Sequence, residues 1–201
     1  MKLAILKMRS DNSKIKEIFK DLSFSEEQIK MIESVFYHVK FKKGDTILKA
    51  NDRVDHQYYI LEGCLRSYHI DKLGKEHTIQ FGIKDWWISD YTAFFSASKA
   101  IMTIEVIQNA IMYRISNEDK EKLYLKIPKI ETFFRKKLER AFAAFQKRIL
   151  SNLSQTATER YLNFIETYPN IEKSIKNYHI ASYLGITTES LSRIRKDLSQ
   201  N

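Results

Sequence analysis

The sequence predicts an α+β protein: an N-terminal antiparallel β-roll (jelly-roll-like) with flanking helices, a long dimerisation helix, and a C-terminal winged-helix-like helix-turn-helix domain. Three observations carry that prediction. Short β-type runs with turn signals between them fill Val39 to Ile115, a long helical periodicity begins at Pro128, and Asn177 to Lys196 reads as two short helices around Gly185. The implied units are 1–127, 128–152 and 153–201.

The opening segment to about Tyr37 reads as helical, with Ile15, Ile18, Phe19 and Leu22 on one apolar stripe and Ile29, Ile32, Val35 and Phe36 on another. Ser25 followed by Glu26, Glu27 and Gln28 has the pattern of a capped start. Leu3 to Leu6 is too short for the core of a secretion signal and ends at Lys7. In the β region, Lys43-Gly44-Asp45 turns into Thr46-Ile47-Leu48, and Tyr58 to Leu61 leads to Gly63. Cys64 to Ile70 alternates inward and outward residues, Asp71-Lys72-Leu73-Gly74 forms a hairpin turn, and Thr78 to Phe81 returns. Thr103 to Ile107 and Ile111 to Ile115 complete a set of strands without intervening helices, the pattern of an antiparallel roll or barrel.

Ser116 or Asn117 can cap the next helix, with Glu118, Asp119 and Glu121 in its first turns. In the long helix from Pro128, Ile130, Phe134, Leu138, Ala141, Phe145 and Ile149 step by three or four residues, as in a coiled coil. Phe133 and Phe142 fall off that seam, in positions to pack on the β-roll. Two arrangements satisfy such a helix: a homodimer seam, or a cover over its own β-domain. Arg135, Lys136, Lys137, Arg140, Lys147 and Arg148 argue against full burial and favour the homodimer. Thr156 to Tyr168 forms a further helix, closed by Tyr168-Pro169-Asn170.

In the last segment Ile180, Leu184 and Ile186 supply buried contacts, Ala181 lets two helices cross closely, and Gly185 stands where the chain must reverse at positive φ. Thr187 caps the second helix, with Glu189 complementing its dipole. Leu191, Ile194 and Leu198 face inward, which leaves Thr188, Glu189, Ser192, Arg193 and Lys196 outward. A helix presented that way, 188–198, can lie in a DNA major groove with its N-terminal side chains on base edges. The alternative is an ordinary αα-hairpin packed on a core. Charge points to an anionic partner: Lys plus Arg number 34 against 25 Asp plus Glu, a formal +9. From Lys129 to Asn201 there are 13 basic and 7 acidic residues, so +6 of the surplus lies there.

A lone cysteine, Cys64, excludes an internal disulfide framework and any all-cysteine metal site within the chain. No apolar run approaches the roughly 20 residues needed to cross a bilayer, so a reduced, cytoplasmic protein without membrane contact is expected.

The order of β-roll, long connecting helix and helix-turn-helix resembles the Crp/Fnr family of bacterial transcription regulators over nearly the whole chain. The likeness is strongest at Phe41-Lys42-Lys43-Gly44-Asp45, Tyr58-Tyr59-Ile60-Leu61-Glu62-Gly63 and Ile180 to Lys196. The resemblance implies a homodimer placing two recognition helices in successive major grooves of double-stranded DNA, with RNA polymerase as a further partner. It puts base reading on Thr188, Glu189 and Arg193. Arg can donate bidentately to guanine and Glu can accept from cytosine, although Glu189 and Arg193 could instead pair with each other. The strand hairpin that follows the recognition helix in some relatives is expected to be absent.

The effector region departs from the cyclic-nucleotide-binding pattern of the family. The Gly-Glu pair of those members falls on Ser89-Asp90, and their phosphate-holding Arg-Ser pair falls on Ala100-Ile101. Lys99 is adjacent, but neighbouring residues on a strand point to opposite faces. Neither cyclic AMP nor cyclic GMP is expected to bind, no cofactor is predicted, and the effector is unknown. Trp86, Trp87, Tyr91, Phe94 and Phe95 either fill the cavity as core or line a pocket for an apolar effector together with Ser89, Asp90 and Lys99. Cys64 alone excludes an iron–sulfur sensor, whereas haem ligation by one His stays open.

Two other functions fit parts of the sequence. A cupin-type metal enzyme would use His56, His69 and His77, but those sites show a His-x-His pair that is missing here, no nucleophile elbow or phosphate loop occurs, and no enzyme activity is expected. A dimeric small-molecule sensor or adaptor with a degenerate DNA-binding domain is the closer rival.

Overall fold

Two long antiparallel strands, β3 (His56–Ile70) and β6 (Thr103–Ser116), pair along nearly their whole length and organise the N-terminal part. The computed structural model describes residues 15–169 and 171–200; the Leu3–Leu6 segment and Asn170 lie outside them. Around Tyr58 and Tyr59, β5 (Trp87–Ile88) pairs with β3 while β1 (Tyr37–Phe41) pairs with β6. At the other end β4 (Glu76–Gly82) joins β3 and β2 (Thr46–Leu48) joins β6. Different neighbours on the two halves of one ribbon bend it into a roll.

What the sequence divides into two runs on either side of Gly63, and again between Ile107 and Ile111, is therefore one bulged strand in each case. Pairing shifts register between Ile60 and Leu65. Gly63 lies at φ +96°, and a Cβ there would stand 2.4 Å from the Asn109 carbonyl oxygen. Only glycine fits a backbone approaching that closely in that conformation.

The flanking helices are set by local caps. Ser25 and Gln28 close a capping box on α2 (Glu26–Val35), after the single turn α1 (Ile15–Ile18). Asp90 caps α3 (Tyr91–Ser96), and Ser116 caps α4 (Asn117–Lys126). Pro128 opens the 27-residue α5 (Pro128–Ser154), where its missing N–H costs nothing. Three helices follow, α6 (Ala157–Thr167), α7 (Asn177–Leu184) and α8 (Thr188–Ser199), with no strand among the described residues of this part.

Three cores result. Ile60, Leu65, Ile88, Ile104 and Met112 fill the roll. Phe19, Phe36, Tyr113, Ile127 and Ile130 form a second, closed by Trp87, Phe133 and Phe134. Phe81 of the roll joins Phe164, Tyr168, Ile180, Leu184 and Leu191 in a third, so the helix-turn-helix is packed directly on the β-roll.

Helix α5 corrects the expected seam. Ile130 is fully buried in its own subunit, and Phe134 packs 4.9 Å from Trp87. Ile130 has no surface left for a second chain, and Phe134 is half-buried. Phe133 does cover its own domain, 4.9 Å from Phe19, but Phe142 does not and stands 63% exposed. The reason is helical phase. At about 100° per residue, Ile130, Phe133 and Phe134 share one face. Leu138, Phe142, Phe145, Ile149 and Leu153 form another, roughly a third of a turn away, and all five are exposed, as is Ala141. Leu198, in the last turn of α8, is likewise exposed and not inward.

Candidate nucleic-acid interface

The reversal between α7 and α8 is fixed by backbone geometry. Gly185 has φ 69°; its N–H donates to Ser182 O and the Ile186 N–H donates to Ala181 O at 3.0 Å, the paired bonds of a Schellman end. Thr187 then caps α8 by accepting from the Ser190 N–H at 3.2 Å. Ile180, Ala181, Leu184, Leu191 and Ile194 are buried, with Ile186 packed against them.

Thr187, Glu189, Ser192, Arg193 and Lys196 are exposed on α8, and Thr188 is half-buried. Ser192 donates to the Thr188 carbonyl at 2.9 Å, and the Thr188 hydroxyl donates to Glu189 at 3.1 Å. The backbone amide of Glu189, then the Thr187 and Thr188 hydroxyls, hold its carboxyl below the usual carboxylate range. Among the described residues no ion pair joins Glu189 to Arg193, and both residues are exposed. Arg195, which the sequence did not single out, turns inward. It donates to Tyr161 Oη at 3.0 Å and to Asn177 Oδ1 at 2.6 Å, tying α8 to α6 and α7.

A joint unseen in the sequence holds this unit on the roll. β4 is an edge strand, and its outer backbone groups would be unpaired if nothing covered them. Ser182 of α7 accepts from the Thr78 N–H at 2.9 Å and donates to the Glu76 carbonyl at 2.7 Å. Arg148 of α5 donates to the carbonyls of Thr78 (3.2 Å), Ile79 and Tyr183 (3.3 Å), with its guanidinium 4.0 Å over the Tyr183 ring. The bulge at Ile79, where Ser67 faces Gln80 but Tyr68 faces Thr78, turns that extra carbonyl outward. Beneath the joint lies Arg66, 1% exposed, its guanidinium 2.6 Å from Glu76 and 2.7 Å from Glu105. His179 of α7 comes within 3.9 Å of Glu105. Burial, then the Arg66 guanidinium and Lys176, pushes His179 down to about 4, so its imidazole is neutral near pH 7.

The expected effector residues do not converge on one site. Trp87 packs on Tyr59 and Phe134 in the second core, whereas Tyr91 stacks on Phe95 at 5.5 Å. Trp86 belongs to the third core, 5.4 Å from Tyr168. Ser89 donates to the His56 carbonyl. Asp90 is fully buried and accepts from the N–H groups of Ala93 (3.2 Å), Ile101 (2.8 Å) and Met102 (3.0 Å), so its carboxylate clamps the loop before β6. Lys99 is exposed, in a lone bridge with Arg53. The three histidines of the enzyme reading are likewise dispersed: His69 lies against the Ile101 carbonyl and His77 against Asp71, while His56 sits on β3. Burial pushes the Cys64 thiol up to about 12.

A cyclic nucleotide-binding domain is recognised over residues 38–126. The anaerobic regulatory protein of Aggregatibacter actinomycetemcomitans is 22% identical over 201 aligned positions, spanning 91% of this chain and 75% of that protein. The transcriptional activator Anr of Pseudomonas protegens is 20% identical over 80% of this chain and 69% of its own length. Among solved structures, FixK2 from Bradyrhizobium japonicum superposes with a TM-score of 0.72 at 17% identity, over 83% of this chain and 85% of that one. A Crp/Fnr transcriptional regulator from Eubacterium rectale gives 0.70 at 19% identity, over 90% and 86%. Residues 38–126 thus carry a cyclic nucleotide-binding domain, and over most of its length the chain is similar to regulators of the Crp/Fnr type. The structural likenesses cover far more of the chain than the cyclic nucleotide-binding domain alone, so the fold is shared beyond that domain. No helix among the described residues is long and apolar enough to cross a membrane.

Proposed function

We propose that the chain is a homodimeric transcription regulator that reads double-stranded DNA in the major groove with α8, without control by cyclic AMP or cyclic GMP. The observation that carries this reading is the solvent-facing row of Glu189, Ser192, Arg193 and Lys196 on a helix whose opposite face, Leu191 and Ile194, is sealed in the core. Arg193 takes a guanine, Glu189 a cytosine, and Thr187, Thr188, Ser192 and Lys196 the neighbouring bases and phosphates. The exposed stripe of α5 joins two copies, so the two α8 helices meet half-sites about one helical turn apart. RNA polymerase follows as a partner from the family resemblance, and a cytoplasmic location goes with it.

Selection of bound fragments from random duplex DNA tests this reading. A pseudo-palindrome with half-sites about ten base pairs apart is the expected product, and no enrichment would refute it. At the selected site, Arg193→Ala should cost roughly 1–3 kcal/mol and relax preference at one base pair, while nonspecific binding stays nearly intact.

Cyclic nucleotide control is argued against by two positions. Ala100, where those members carry the phosphate-binding arginine, is buried and hydrogen-bonded through its backbone to Asp52 and Asn51. Asp90, where they carry the ribose-binding glutamate, is already occupied by three amides. Isothermal titration should find no cyclic AMP or cyclic GMP affinity in the micromolar range or tighter; such affinity would overturn this part of the proposal.

A further inference from the structure

The β3–β4 hairpin stands beside the helix-turn-helix. Gly74 and Lys75 of the hairpin line one open cleft with Tyr178, Ser182, Ile186 and Thr188. The tip is internally braced. Asp71 accepts from the Leu73 N–H at 2.9 Å and the Lys75 N–H at 3.0 Å through one carboxylate oxygen, and meets His77 at 2.8 Å through the other. That negative charge is thus turned into the hairpin. Lys72 and Lys75 remain exposed, in no ion pair with a described residue, on either side of Leu73, which is 93% exposed.

In a helix-turn-helix the second helix enters the major groove from its N-terminal end, and the first crosses the sugar–phosphate backbone. Here those two places are Thr188 and the start of α7, marked by Lys176, Asn177 and half-exposed Tyr178. The hairpin borders both. A phosphate strand flanking the groove must run past the tip, and Ser182 and Arg148 hold β4 rigidly to α7 and α5 as it does.

We propose that the β3–β4 hairpin is a second DNA contact, with Lys72 and Lys75 each neutralising a backbone phosphate beside the half-site, so that the β-roll and the helix-turn-helix hold the duplex together. This rests on the reading that α8 enters the major groove. It adds phosphate contacts, which fix position and affinity but carry no base preference.

The test compares the full chain with Lys72→Gln/Lys75→Gln on the selected duplex across 50 to 200 mM salt. Each lost phosphate contact makes the slope of log affinity against log salt shallower by about 0.9. Two contacts give a slope change near 1.8, or about a twelve-fold smaller loss of affinity over that salt range. Base preference should be unchanged, and Lys72→Arg/Lys75→Arg should restore the steep slope. An unchanged slope in the Gln variant overturns the inference, and so does tighter binding, which would mean that the hairpin obstructs the groove. A wild-type chain that selects no duplex overturns the underlying reading and this one together; one that binds while the variant matches it overturns the hairpin contact alone.

Discussion

Replacing Arg66 with methionine should destabilise the protein by about 3–5 kcal/mol, the usual cost of removing one partner from a buried ion pair. Arg66 sits on the central strand β3, 1% exposed, and its guanidinium bridges Glu76 on β4 and Glu105 on β6. It also lies 4.0 Å over the Tyr68 ring. Glu105 is its direct cross-strand neighbour, so without the cation two carboxylates face each other across the sheet. The melting temperature of a chain this size should fall by roughly 10 °C. Since the Arg66 guanidinium is one of the groups holding the His179 pKa down, that histidine should titrate higher in the variant. Adding Glu105→Leu should recover much of the loss, because well-packed apolar groups often replace a buried pair at little cost. A loss below about 1 kcal/mol would mean that the network is solvated and does not brace the joint.

The parts of the fold readable in the sequence are those decided within a few residues. The caps at Ser25, Thr156 and Thr187 each bond an amide three positions on, and the Gly185 reversal closes over six residues. The strands are half-readable. Alternation places Cys64 to Ile70 and Thr103 to Ile107 correctly. That each is only part of a longer strand depends on Gly63 lying against Asn109 and Ala110, a contact from 46 residues away that no local pattern contains. Helix α5 shows the same division. Its period is plain, but the period serves two faces, and only the position of the N-terminal aromatic core decides that Ile130 and Phe134 turn inward while Phe142 turns out.

At the candidate interface, the outward residues of α8 follow from amphipathic spacing. The joint does not. Arg148, Ser182, His179 and Arg195 look like ordinary polar positions until their partners, 18 to 106 residues away, come into contact with them. One signal was available: Arg66 follows Cys64 and Leu65 in the middle of a long strand, and an arginine buried there needs carboxylates around it. Asp90 shows the converse. Its chemistry suits a ligand hydroxyl, but both its oxygens already accept from backbone amides, one from Ala93 and the other from Ile101 and Met102.

Phe142→Glu together with Phe145→Glu should convert the proposed dimer to monomers in sedimentation while leaving the circular dichroism of the fold unchanged. Leu138, Phe142, Phe145 and Ile149 step by four, three and four residues, the rhythm of a coiled-coil seam, and are 49%, 63%, 40% and 57% exposed within one protomer. Exposed area on that scale has no structural use in a single chain. In the proposed dimer a second copy running alongside covers it, each side chain meeting its own symmetry mate or a near neighbour. Fully burying a Phe contributes about 1.5–3 kcal/mol, and the double variant removes four such side chains per dimer. It also sets four carboxylates against one another near the two-fold axis. A net loss above about 4 kcal/mol corresponds to at least a thousand-fold weaker association. Binding to a full palindrome should fall with it, whereas a single half-site keeps the weak affinity of one α8. Ile130→Glu, made on the inward face of the same helix, should instead unfold the N-terminal core, since Ile130 has no exposed surface. An unaltered dimer in the Phe142/Phe145 variant would place the subunit contact elsewhere.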